Sequence, residues 1–168
     1  FIVMRAGLGG EQLGRLNACM QKARIVKGYL PTRAAALERE EETGGPVGAM
    51  MLADGSVITG KTSERLGAAS SLLMNALKTV TGVDVEEDVI DDGAIDPICR
   101  LKTEQLDSKN LRLHSEETLI ALSISSATSQ TAKRVIAGLP KLRGCDAVFS
   151  VIISQTDEER YRQLGNNM

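Results

Sequence analysis

Residues 55–62, GSVITGKT, fit the phosphate-loop pattern G-x-x-x-x-G-K-[ST] at Gly55, Gly60, Lys61 and Thr62. Such a loop cradles nucleotide phosphates with successive backbone N–H groups turned inward, a geometry that small residues permit. Here the middle of the loop is Ser56, Val57, Ile58 and Thr59. Three of these are β-branched and favour the extended backbone of a strand. No acidic residue ends the strongest strand pattern, AVFSVIIS, where a magnesium ligand would stand. A β-hairpin turning at Asp54-Gly55 therefore takes precedence, and nucleotide binding at residues 55–62 is the lesser alternative.

The densest polar chemistry is a hydroxyl cluster, Ser123, Ser125, Ser126, Thr128, Ser129 and Thr131, just before Lys133 and Arg134. Hydroxyls at a helix start with cations nearby suit a phosphate or carboxylate. The plainer reading makes them caps and small packing residues. Lys61 and Arg100 are further cations that a shared cleft could use, so the expected ligand contacts are Lys61, Arg100, Ser126, Thr128, Ser129 and Arg134. His114, the single histidine, precedes a helix cap and reads as a surface or capping residue. A general-base role stays open to it, because imidazoles exchange protons near neutrality.

Metal chemistry finds little support. The acids of VEEDVIDD and Asp96 fit no calcium-loop spacing and read as a solvated loop. Cys19, Cys99 and Cys145 are far apart and odd in number, which points to a reducing compartment and a cytoplasmic protein. Cys145 is expected to be buried, and Cys99, near a helix start, is the better candidate for thiolate chemistry. No catalytic residue, metal site or cofactor is assigned.

The elements that would position these groups follow from periodicity. EQLGRLNACMQKARIV places Leu13, Leu16, Met20 and Ala23 on one helical face, and LPTRAAALEREEE reads as a second, charged helix capped by Thr32. VGAMML and SVITG flank the hairpin turn. SERLGAASSLLMNALKTVTG predicts a helix with Ser63 as cap and Gly82 as its left-handed stop. Its start, residues 67–71, is built from small residues that let a ligand or another backbone approach. Further expectations are a short strand at Val89-Ile90, a helix with Asp96 as cap and Pro97 in its first turn, and a helix capped by Ser115. TSQTAKRVIAGLPKLRG predicts a helix disturbed near Pro140 and stopped by Gly144, CDAVFSVIIS a strand, and Thr156 to Glu159 a capping box for the last helix.

With 168 residues, 20 basic and 22 acidic side chains and net charge −2, the chain suits one compact domain and lacks the basic stripe of a nucleic-acid or anionic-membrane binder. Aromatic residues are Phe1, Tyr29, Phe149 and Tyr161 alone, too few for base-stacking platforms. No apolar run has the length of a membrane span, and no signal peptide is read. The chain opens on Phe1 rather than Met and reads as an excerpt of a longer protein. The expected organisation is a helical lead-in, residues 1–44, packed on an α/β domain, residues 45–168, with a mixed sheet.

The stretch GGPVGAMMLADGSVITGKTSERLGAASSLLMNALK resembles the opening hairpin and helix of cytidine-deaminase-like domains. That likeness implies a three-layer α/β/α sandwich. LGAASS lacks the zinc ligand and glutamate of the deaminases, and DPICR supplies Cys99 without a second cysteine, so their chemistry is not expected here. GAMMLADGSVITGK, AASSLLMNALK, EETLIALSISSATSQTA and LPKLRGCDAVFSVIISQTDEERYRQLG resemble the carboxy-terminal region of a bacterial family, domain of unknown function 1846, also called uncharacterised protein family 0371. The likeness implies a multidomain cytoplasmic protein whose upstream domain carries its own glycine-rich phosphate loop. Two functions remain in view. One is part of an enzyme acting on a phosphorylated or carboxylated small metabolite in a cleft shared with the upstream domain. The other is a non-catalytic oligomerisation or regulatory module, with homo-oligomers expected.

Overall fold

The structure is a computed structural model and describes residues 31–168. The helix expected over EQLGRLNACMQKARIV and most of the lead-in lie outside the described residues.

The chain has α/β character. Helix α1 (Pro31–Thr43) leads into a hairpin of β1 (Val47–Met51) and β2 (Val57–Lys61). Helix α2 (Ala68–Thr81) and helix α3 (Asp92–Arg100) follow, the latter continuing as a π-helix (Leu101–Gln105). Helix α4 (Ser115–Ser125), helix α5 (Gln130–Ile136) and a 3₁₀ turn (Leu139–Leu142) lead to strand β3 (Asp146–Phe149) and helix α6 (Gln155–Gln163).

The expected hairpin is present. Gly55 has φ +84°, Gly55 N donates to Leu52 O at 2.9 Å, and Asp54 Oδ1 receives Ser56 N at 2.9 Å. Val57, Thr59 and Lys61 pair with Met51, Ala49 and Val47, so the middle of the phosphate-loop pattern is a strand ladder and not a nest.

The sheet corrects one expectation. Its order is β2-β1-β3, and both neighbours of β1 run antiparallel to it, so it is antiparallel rather than mixed. Parallel pairing appears only as isolated bridges, Leu66 with Leu113 and Asp146 with Asn167, among the described residues. The physical reason is that β3 returns from a run of helices to the open edge of β1 and lies head-to-tail with it, from Gly48 opposite Phe149 to Met51 opposite Asp146.

Alternation along the strands sorts the packing. Gly48, Met50, Ala147 and Phe149 share a face with α2, and Met50, Leu72, Leu73, Leu77, Leu122 and Tyr161 are fully buried in that core. Helix α1 packs on all three strands, where Val47 and Ala49 are buried. Thr32 is buried in the first turn of α1 rather than standing before it as a cap.

Two glycines make this packing. A Cβ on Gly60 would lie 2.1 Å from Leu72 N, and one on Gly48 2.5 Å from the Phe149 ring. The small start of α2 is therefore occupied by this chain's own strand, which lies against its backbone. The helix begins at Ala68 after Gly67, not at Ser63, whose hydroxyl closes a local turn by accepting from Leu66 N at 3.0 Å. Gly82 stops the helix in the left-handed region at φ +67°.

Other expectations are corrected locally. Residues 89–90 form no strand; Val89 is buried in a loop, and Asp91 next to it caps α3 by accepting from Gly93 N at 2.6 Å. That earlier cap places Pro97 inside α3 rather than in its first turn. Ser154, not Thr156, caps α6, receiving Asp157 N at 3.1 Å. Strand β3 ends at Phe149, and Val151 to Ile153 continue as irregular chain.

Replacing Gly60 by Ala drives a methyl into backbone and is expected to cost about 3 kcal/mol or more of folding stability. Gly55→Ala, where only the positive φ resists a side chain, is expected to cost about 1 kcal/mol. Urea denaturation of the two variants measures the contrast.

Candidate functional site

Three helix N-termini meet at the end of the sheet where β2 and β3 finish. They are the starts of α2, α4 and α6, and between them lies a crevice of about 460 Å³ lined by Thr62, Gly67, Ala68, Ala69, Lys109, Arg112, His114 and Asp157, among others.

The start of α2 is unusual. Gly67 has no side chain to cap it, and Ala68, Ala69 and Ser70 are 7 %, 3 % and 0 % exposed. Gly67 N donates to Leu113 O at 3.2 Å and Ser71 N to Gly67 O at 2.9 Å, but the N–H groups of residues 68–70 find no acceptor among the described residues. Unmet donors at a buried helix end carry a partial positive charge and attract an anion.

His114 stands beside them as the residue preceding α4. Its backbone N donates to Glu117 Oε2 at 2.8 Å, and the same carboxylate receives buried Lys102 Nζ at 2.8 Å. Its Nδ1 lies 2.9 Å from Asp157 Oδ2. Asp157 Oδ1 receives Ser115 N and Ser115 Oγ, both at 2.7 Å, and Oδ2 also receives Ser154 Oγ at 2.7 Å. Burial pushes the Asp157 carboxyl up, but the donors from Ser115, His114 and Ser154 outweigh it and hold it below the usual value. An ionised Asp157 accepts from Nδ1–H, which leaves Nε2 of the neutral ring as its proton acceptor. No hydrogen bond engages Nε2 among the described residues. A carboxylate that orients an imidazole is the arrangement of a general base. Ser154 Oγ is 3.4 Å from Nδ1, on the wrong side to be that base's nucleophile.

Arg112 is fixed by Nε donating to Ser63 O at 2.8 Å, and Lys109 is exposed on the crevice rim. Tyr161 holds α6 to the start of α2 through its hydroxyl, 2.7 Å from Ala69 O, and its ring packs edge-on to Phe149 at 5.3 Å.

The six ligand contacts expected from sequence are not gathered in this crevice. Thr128 and Ser129 line a second cavity, on the other side of the segment that carries Ser63 to Leu66. Ser129 caps α5 by accepting from Ala132 N at 3.2 Å, and Ser126 Oγ donates to Ser123 O at 2.6 Å, so both hydroxyls serve the local backbone. Lys61, Arg100 and Arg134 are exposed at the end of β2, the end of α3 and along α5. Sequence reasoning passed over the pairing of His114 with Asp157; the signal available was a lone histidine before a cap, and the partner is 43 positions away. Among the described residues, no three His, Cys, Asp or Glu side chains converge to hold a metal ion. The helix start that carries a zinc ligand in deaminases offers Gly67, Ala68 and Ala69, so no step through a metal is derived. No described helix is long and apolar enough to cross a membrane.

The depressed Asp157 carboxyl stabilises the fold in full above its ordinary value of 3.8, and that contribution is lost as pH falls through the lower folded-state value. Asp157→Asn is expected to lose about 2–4 kcal/mol at neutral pH, because four donors face a weaker acceptor. The gap to the wild type narrows below pH 3.8, which denaturant melts at several pH values would register.

Comparison with known proteins places this geometry in a lineage. The family model described as "Domain of unknown function DUF1846, C-terminal" matches residues 29–168, beginning upstream of the stretches that carry the resemblance in sequence. A UPF0371 protein of Corynebacterium efficiens is 48% identical over 151 residues, covering 90% of this chain and 30% of the relative. One from Corynebacterium aurimucosum is 42% identical over 161 residues, covering 96% and 32%, and one from Streptococcus thermophilus is 40% identical over 134 residues, covering 80% and 27%. The chain thus spans about a third of the length of these curated bacterial relatives. It belongs to the DUF1846 family, within that family's C-terminal domain.

Proposed function

We propose that this domain supplies an anion-binding, proton-transferring half-site of a cytoplasmic enzyme that acts on a phosphorylated or carboxylated small metabolite. The observation that carries the reading is the uncapped, buried start of α2 facing the same crevice as His114, whose ring is held by Asp157. Donors unmet at residues 68 and 69, with Arg112 and Lys109 at the rim, suit an oxyanion. His114 Nε2 would take a proton from a substrate hydroxyl, from an activated C–H, or from a water. The upstream domain would close the crevice and bring the remaining groups. Helices on the sheet support a three-layer, cytidine-deaminase-like sandwich, with residues 1–44 as its lead-in and residues 45–168 as its body.

A second reading makes the domain an oligomerisation or regulatory module. It is favoured by Ile120 and Ile124, one turn apart on α4 and 50 % and 55 % exposed, which would suit a contact with a second copy. Sedimentation of the isolated chain and its Ile124→Lys variant bears on that reading.

The anion site is tested by thermal shift with orthophosphate, pyrophosphate and malonate at constant ionic strength. Saturable stabilisation, about 2.7 kcal/mol when the anion is at a hundred times its dissociation constant, is expected for at least one of them. Arg112→Ala should weaken it several-fold, while His114→Gln should leave most of it intact. A response that follows ionic strength alone, or that Arg112→Ala leaves unchanged, removes the proposal.

A further inference from the structure

The crevice that holds His114 has two sides of opposite chemistry. Residues at the strand ends form one: Pro46 before β1, Thr62 after β2, and Val151 and Ile153 after β3. The segment 109–114 forms the other, with Lys109, Asn110, Arg112 and His114.

Both sides are fixed by bonds between distant parts of the chain. Ser150 N donates to Val47 O at 2.8 Å, and Ser150 Oγ accepts from Val47 N at 3.0 Å, which clamps the exit of β3 to β1. Val151 and Ile153 then line the crevice, half-buried, while Ile152 between them is 58 % exposed and stands outside it. Ile153 also packs on the main core. On the other side, buried Lys102 donates to Arg112 O at 2.6 Å and to Glu117 Oε2 at 2.8 Å, the carboxylate oxygen that receives His114 N. One ammonium thereby holds both ends of the run from Arg112 to His114. Walls set before a ligand arrives lose little freedom when it binds.

Hydrogen-bonding capacity is left over on one side. Thr62 carries the one polar side chain among the strand-end residues, and its hydroxyl donates to Pro46 O at 3.2 Å. Both oxygens of Asp157 are filled by Ser115, Ser154 and His114. Among the described residues the donors still free are Lys109 Nζ, Asn110 Nδ2 and the Arg112 guanidinium beyond Nε, with His114 Nε2 as the acceptor; all belong to 109–114. Whatever projects over Pro46, Val151 and Ile153 gives up water without gaining a side-chain partner. Carbon gains from that exchange and a hydroxyl loses.

We infer that the crevice takes an anion carried on a short aliphatic chain, a small carboxylic acid or alkyl phosphate, in preference to a polyol phosphate or sugar acid. The inference rests on the anion-site reading above and narrows its ligands to those with a carbon tail. The acid group pairs with Arg112 and Lys109, and the tail lies along Val151 and Ile153.

The test is thermal shift of the full chain with acetate, butanoate and hexanoate at constant pH and ionic strength, beside gluconate, orthophosphate and uncharged hexanamide. Apparent affinity is expected to rise roughly twofold or more for each added methylene, short of the ~fourfold that complete burial gives. Gluconate should bind no tighter than acetate, and hexanamide more weakly than hexanoate. Val151→Thr, similar in shape and at a half-buried position, should flatten the rise with chain length and leave acetate unchanged. Arg112→Ala should weaken every acid by a similar factor. Affinity that does not grow with chain length, or gluconate ahead of hexanoate, overturns the aliphatic class and leaves the anion site standing. Hexanamide equal to hexanoate, or a rise that Val151→Thr leaves untouched, also overturns it, because the tail then binds without this crevice. Orthophosphate and all the carboxylates failing to bind overturns the anion site itself, and this inference with it.

Discussion

The Asp157 carboxylate is the joint on which the crevice depends. A buried carboxylate is tolerable only when its oxygens are filled with donors, and these come from Ser115, His114 and Ser154. Satisfying that one charge fixes where α4 begins relative to α6 and which way the imidazole points. One turn further along α6, Tyr161 lies on the same face, and its hydroxyl ties the helix to Ala69 at the start of α2. The contacts that stabilise the packing of α6 are thus the contacts that shape the site.

The start of α2 shows how packing and chemistry share residues. Small side chains there let Gly60 lie against Leu72, so the strand–helix contact is set by absence of bulk rather than by interlocking side chains. The same smallness leaves the helix without a side-chain cap, and Gly67, Ala68 and Ala69 line the crevice. On either side of the segment from Ser63 to Leu66, which pairs at Leu66 with Leu113, the two cavities have opposite character. Lys109, Arg112 and His114 mark one, and Glu64, Asp88, Asp91 and Asp92 mark the other. A single helix therefore lends its N-terminal end to one crevice and its polar flank to the other.

Local signals were legible where local physics is decisive. The Asp54-Gly55 turn, the left-handed stops at Gly82 and Gly144, and the helices around Leu72 and Leu122 follow from backbone preference and periodicity. The starts of α3 and α6 were misplaced because several residues could cap each, and the choice went to Asp91 and Ser154. Asp91 N donates to Ser125 Oγ at 3.0 Å, and Ser154 is drawn to Asp157 and His114, so distant partners decided between locally equivalent caps. Val89 and Ile90 have strand composition but no neighbouring strand to pair with, and burial of Val89 under α2 substitutes for pairing.

By itself the sequence determined the hairpin, the absence of a phosphate nest at residues 55–62, the thin start of α2 and the family. These depend on residues within a few positions of each other, or on long matched stretches. Tertiary structure alone decided that His114 meets Asp157 and that β3 joins β1 antiparallel. Each of those requires two segments to be brought together across tens of residues. The energy that does so comes from burying Leu72, Leu77, Leu122 and Tyr161 in one core, a non-directional force that leaves no pattern at the residues it juxtaposes.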